Sequence, residues 1–269
     1  MTLRILCLHG YTQNALSFTK KTAAFRKSLK DIADLVYVTA PHVVPIPTLE
    51  TPEEREQDEL DNLEPEAVPY GWWTSSPEKP QYKGFDESLT GLRDVLEQQG
   101  PFDGVMGFSQ GASMASILQL LLERPHLSPV MSTCKHAPFK FAIIVSGFEP
   151  RDAEKLTWYT NQYPVVKALD VSTPESDGQD SGNGSENGST KGEDDAQSRT
   201  VFGVQGASMH VIGRNDVIIE PERSEGLLKH YEFRKPVTLY HDGGHYLPSN
   251  AASRQAYKAF VQSFVPQGI

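Results

Sequence analysis

The stretch that most constrains this chain is Phe102-Asp103-Gly104-Val105-Met106-Gly107-Phe108-Ser109-Gln110-Gly111-Ala112-Ser113-Met114-Ala115. It opens as a short apolar run with the length and flanks of a buried strand. Beyond it, Met114, Ile117, Leu118, Leu121 and Leu122 recur at i, i+3, i+4, i+7 and i+8, which predicts one apolar helix face. Between strand and helix sits Gly107-Phe108-Ser109-Gln110-Gly111, a G-x-S-x-G turn. A serine on so sharp a turn is held exposed and strained, and its neighbours must be small for the turn to close. Ser109 is then placed at a helix N-terminus, where free backbone N–H groups can receive negative charge.

Strand-like runs over Leu3–Leu8, Leu35–Thr39, Phe141–Val145, Ala207–Ile212 and Val237–Tyr240 flank helical patterns over Ala15–Leu29, Phe85–Leu96, Pro221–Tyr231 and Tyr257–Phe264. Asn14 or Ser17 suits the first helix as its cap. A further short helical element is expected over Leu156–Leu169. Such alternation predicts a mostly parallel central sheet flanked by helices on both faces. Residues 1–269 are expected to form a single domain. Residues 172–198 contain no Val, Ile, Leu, Met or aromatic residue, so this acidic Ser/Gly/Asn-rich insertion is expected to be disordered.

Charge narrows the partners. The net charge is −10, but residues 50–66 carry −8 and residues 172–200 carry −5, leaving the rest at +3. The acidity thus belongs to two loops, and no basic stripe suggests a nucleic-acid partner. Cys7 and Cys134 give no disulfide framework, and Cys7 reads as a buried thiol. Neither a secretory leader nor a membrane-spanning run is recognisable, so a cytoplasmic location is expected, with the nucleus also open. No zinc-type ligand spacing, phosphate loop or dinucleotide fingerprint appears, so neither metal nor cofactor is expected.

A serine hydroxyl needs a base to become a nucleophile at neutral pH, and histidine suits that task. A carboxylate must hold the imidazole in one tautomer. In the α/β-hydrolase arrangement the three follow in the order Ser, Asp, His, each after a strand. Ser109, Asp216 and His245 fill that order. His241 and Asp242 are the rivals; His241 follows directly on its strand, whereas Gly243-Gly244 frees His245 to reach inward. His9 reads as a brace for its loop. The oxyanion hole is assigned to the backbone N–H groups of Gln110, the residue after the nucleophile, and Tyr11, in the loop after the first strand. Trp72, Trp73 and Phe148 are candidates for an apolar pocket; the two tryptophans serve equally well as anchors of their loop.

Leu8-His9-Gly10-Tyr11-Thr12-Gln13-Asn14, Ala40-Pro41-His42, Tyr70-Gly71-Trp72-Trp73, Gly100-Pro101-Phe102-Asp103-Gly104, the Ser109 pentapeptide, Val145-Ser146-Gly147-Phe148 and Gly243-Gly244-His245 together resemble the FSH family of serine hydrolases. The likeness is to its ovarian cancer-associated gene 2 branch; fungal polyketide-releasing esterases belong to the same group. The resemblance implies a cofactor-free α/β-hydrolase fold acting on small-molecule acyl esters or thioesters. A carrier-protein or coenzyme A thioester is the alternative substrate. A binding module without turnover is the rival from another class.

Overall fold

The computed structural model describes residues 2–45, 63–76, 78–160, 163–164, 200–201, 203–231 and 234–266. The insertion expected over 172–198 and most of the acidic loop lie outside them. Six strands form one parallel sheet: β1 (Leu3–Leu8), β2 (Ala33–Val38), β3 (Gly104–Phe108), β4 (Phe141–Val145), β5 (Ala207–Gly213) and β6 (Val237–His241). Their spatial order is β6-β5-β4-β3-β1-β2, with the serine-bearing strand β3 in the interior.

The apolar runs have a simple cause. Val105, Leu6, Leu8 and Ile144 point to one core, while Met106, Phe108, Ile5, Cys7, Ile143 and Val145 point to the other. A parallel sheet covered on both faces needs apolar residues at every position. The first core lies under α3 (Phe85–Gln99) and α4 (Gln110–Glu123). The second lies under α1 (Ala15–Lys21), α2 (Ala23–Leu29) and the last helix, Ala251–Gln262.

Two expectations need correction. The single helix expected over 15–29 is broken at Thr22, whose Oγ1 donates to Phe18 O at 2.7 Å and contacts Tyr37 Oη at 2.7 Å. Such back-bonding competes with regular helix geometry, and the break lets Phe18 and Phe25 both reach the core. Asn14 is the cap, in a reciprocal box with Ser17, and its amide also donates to the carbonyls of Pro65, Glu66 and Val68. Secondly, α4 is buried all round from Gln110 to Leu122, not on one face. Its polar residues find partners within the protein: Ser116 contacts Tyr159 Oη at 2.7 Å and accepts from Tyr231 at 2.8 Å. The element expected at 156–169 is a helix over Ala153–Thr160, α5 here, and its expected remainder lies almost wholly outside the described residues.

The loop after β1 is pinned by His9. Its Nε2 accepts the Ala40 amide at 2.9 Å, so Nδ1 carries the proton and donates to Gly10 O at 2.8 Å. The expected bracing role is what the geometry shows. Burial lowers the His9 pKa to about 4, against a smaller opposing effect of the Gly10 carbonyl. Protonating Nε2 destroys the bond to Ala40, so the unfolded chain takes up protons first as the medium is acidified. The contribution of neutral His9 is complete above pH 6.5 and is lost as pH falls toward 4. Glu123, raised to about 7 by burial against the opposing Gln205 and Gly206 amides, has the opposite dependence. The isolating measurement is therefore the stability difference between wild type and His9→Gln in urea titrations. That difference should shrink steadily between pH 6.5 and 4.

Candidate active site

The turn at Ser109 is as tight as its sequence requires. Ser109 takes φ 53° and ψ −119°, a region L-residues rarely occupy. A Cβ on Gly107 would lie 2.2 Å from Gly111 O, and one on Gly111 would lie 2.3 Å from the carbonyls of Leu8 and His9. Only hydrogen fits at both places. Strand β3 and helix α4 can therefore meet at an angle that pushes Ser109 out between them.

Asp216 and His245 come from the adjacent strands β5 and β6, whose following loops are laced together. Arg214 N donates to His241 O at 2.8 Å, Asn215 N to Gly243 O at 3.1 Å, and Asn215 Nδ2 to Asp242 O at 2.6 Å. The lacing brings His245 Nδ1 to 2.7 Å from Asp216 Oδ2. The other carboxylate oxygen accepts the amides of Ile218 and Ile219 at 3.0 and 2.9 Å. Burial pushes the Asp216 carboxyl up, but the His245 bond and the two amides outweigh it and hold the group below its ordinary value. Asp216 is therefore an anion, His245 Nδ1–H is the donor, and Nε2 is left as the basic nitrogen.

The His245 ring packs against Phe108, the residue before Ser109, with centroids 4.8 Å apart. Among the described residues Ser109 Oγ makes no hydrogen bond. Catalytic hydrogen bonds often tighten only once substrate is bound. The rivals make other contacts. Asp242 is an exposed side chain facing Arg214, and His241 accepts the Gly243 amide and packs on Tyr246.

The backbone N–H groups of Tyr11 and Gln110 donate to no acceptor among the described residues, although their neighbours Thr12 and Ala112 do. Free backbone donors are the kind of group a developing oxyanion requires. Of the residues named for a pocket, Trp72 and Trp73 are 1% and 2% exposed, while Phe148 is half-buried. Trp72 Nε1 donates to His9 O at 2.9 Å, and Trp73 stacks on Tyr82 at 4.4 Å, so both anchor their loop. Sequence reasoning missed the Gln110 side chain. Its Oε1 accepts Trp72 N and its Nε2 donates to Trp73 O, each at 2.8 Å. One residue thus offers its backbone to the site and its amide to the loop above. Among the described residues no cluster of three or more His, Cys, Asp or Glu could hold a metal, and no helix is long and apolar enough to cross a membrane.

A family model described as "Serine hydrolase (FSH1)" matches residues 1–257. The chain belongs to this family. It is 32% identical to Esterase OVCA2 of Xenopus tropicalis over 98% of this chain and 94% of that protein. It is 31% identical to the Homo sapiens Esterase OVCA2 over 97% of this chain and 96% of that one. Among solved structures, Arabidopsis thaliana SOBER1 superposes with a TM-score of 0.55 at 13% identity, covering 98% and 99% of the two chains. Zea mays acyl-protein thioesterase 2 does so with 0.50 at 14%, covering 98% and 94%. Likeness at that identity establishes the α/β-hydrolase fold; membership establishes a serine hydrolase.

Gln110→Ala should strand the Trp72 amide and Trp73 carbonyl in a buried setting, a cost of about 2 kcal/mol or more. Thermal unfolding should show the loss. Tryptophan fluorescence should report loosening of that loop, while the backbone donor at position 110 remains.

Proposed function

We propose that this serine hydrolase cleaves carboxylic esters of acyl chains through Ser109, His245 and Asp216. The observation that carries the reading is the 2.7 Å bond between His245 and the Asp216 carboxylate, on an imidazole packed against the residue before a strained serine.

In this mechanism Ser109 Oγ attacks the acyl carbonyl while His245 Nε2 takes its proton. Asp216 keeps the proton on Nδ1 and stabilises the imidazolium. The tetrahedral oxyanion settles on the N–H groups of Tyr11 and Gln110, held in place before reaction. Collapse of the intermediate returns the proton from Nε2 to the leaving alcohol. Water, activated by the same nitrogen, then releases the acid and frees Ser109. A thioester would react identically at the acyl carbonyl, with a thiol leaving.

Fluorophosphonate labelling tests the nucleophile. Wild type should be labelled at Ser109, and Ser109→Ala should lose both label and ester hydrolysis. Asp216→Asn should keep the fold but lower kcat about 10³–10⁴-fold, because the amide can favour the wrong tautomer. A folded wild-type protein that neither labels nor hydrolyses would instead be a binding module. Matched oxygen and thiol esters of one acyl chain separate the two substrate types.

A further inference from the structure

An arginine without an acceptor lies over Phe148, one of the residues named for the pocket. Helix α6 (Pro221–Lys229) starts five residues after Asp216. Ser224 Oγ fastens its first turn to Gly147 O at 2.8 Å. The adjacent Phe148 is clamped from the other side: its N donates to Ser113 Oγ at 3.0 Å, and that hydroxyl donates to Phe148 O at 2.9 Å. Ser113 lies one turn beyond Ser109. The guanidinium of Arg223 lies over the Phe148 ring, 4.7 Å from its centre. Both supports of this stack therefore run back to the catalytic elements.

Among the described residues the Arg223 side chain makes no hydrogen bond and no ion pair. It is half-buried, and its neighbours do not neutralise it. Burial and the charge of Arg151 hold its pKa below the ordinary value, while Tyr82, Glu220 and Asp216 act the other way. Arg151 is exposed and likewise has no ion pair among the described residues. Its backbone N–H donates to Tyr82 Oη at 2.9 Å, and Tyr82 stacks on the Trp73 that Gln110 holds. Arg151 follows Phe148 by three residues in the same loop, and its positive charge acts on Arg223.

A guanidinium has five donors in a planar fork that matches a carboxylate or a phosphate. If the Phe148 stack were the whole role of Arg223, a second cation beside it would only weaken it. We propose that Arg223, assisted by Arg151, binds an oxyanionic group on the substrate remote from the scissile bond, making this an enzyme for esters or thioesters that carry an anion on the acyl chain or on the leaving group. The anion is a carboxylate or a phosphate, and it sits beside the Arg223–Phe148 stack. The inference rests on Ser109 being the nucleophile.

The test uses p-nitrophenyl esters of a dicarboxylic acid, with the far carboxylate free or capped as its methyl ester, and an acyl coenzyme A thioester as the phosphate-bearing arm. Wild type should have the higher kcat/KM on the free carboxylate or on the coenzyme A thioester, and whichever arm is favoured identifies the anion. Arg223→Gln should lower the charged-to-capped ratio about 10-fold or more, chiefly through KM. Arg223→Lys should restore part of it and Arg151→Gln should lower it less. Added salt should lower the wild-type ratio without any substitution. A preference for the capped ester with no advantage for the thioester overturns the proposal. So does a ratio that neither Arg223→Gln nor salt changes while the capped ester is still turned over and Ser109 still labels. Loss of all turnover and labelling in wild type would bring down the Ser109 reading, and this one with it.

Discussion

The site depends on one steric fact: strand β3 and helix α4 touch backbone to backbone at Gly107 and Gly111. A single methyl at either position would sit far inside van der Waals contact with a carbonyl oxygen. That contact forces Ser109 into its unfavourable backbone angles. Strain of this kind, of order 1–3 kcal/mol, persists only where the surroundings over-determine it. Here the surroundings are a helix buried on every side and a strand in the interior of the sheet. The cores on the two faces thus hold the hydroxyl in place.

A second layer of order comes from loops tied to loops. Asp216 and His245 lie in loops that follow separate strands, and the bonds from Arg214 and Asn215 to the β6 loop make their pairing a property of the backbone. Gly213 permits this lacing, since a side chain there would press on the carbonyls of Gly243 and Gly244. At the other end of the sheet His9, Asn14 and Gln110 perform the same service for the Tyr11 and Trp72 loops. Each is a buried polar side chain whose donors and acceptors are spent on main chain. Such fully paired groups specify one arrangement where apolar packing would tolerate several.

Much of this was legible in the residue order, for identifiable reasons. Strands β3 and β4 show as unbroken apolar runs, and β1 as one interrupted only by Arg4, because both faces of the sheet are covered. Ser109, Asp216 and His245 could be nominated because the chemistry demands those groups in that order after strands, and the fold brings the last two into contact. What could not be read was long-range polar pairing. Ser113, Ser116 and Gln119 look like the wet side of α4, yet the partners of the two serines, Phe148, Tyr159 and Tyr231, lie 35 or more residues away. The double engagement of Gln110 with the tryptophan loop was hidden for the same reason. The break at Thr22 depends on Tyr37, a residue on another element.

The contrast between Gln110 and Arg223 bears on how such an enzyme diversifies. The Gln110 side chain ties the serine turn to the tryptophan loop, so a change there leaves two buried main-chain groups unpaired. Arg223 touches the scaffold through a ring face alone, and exchanging it leaves no buried partner bereft. Descendants of this chain can drift in diet through the first turn of α6 while the machinery beneath stays frozen.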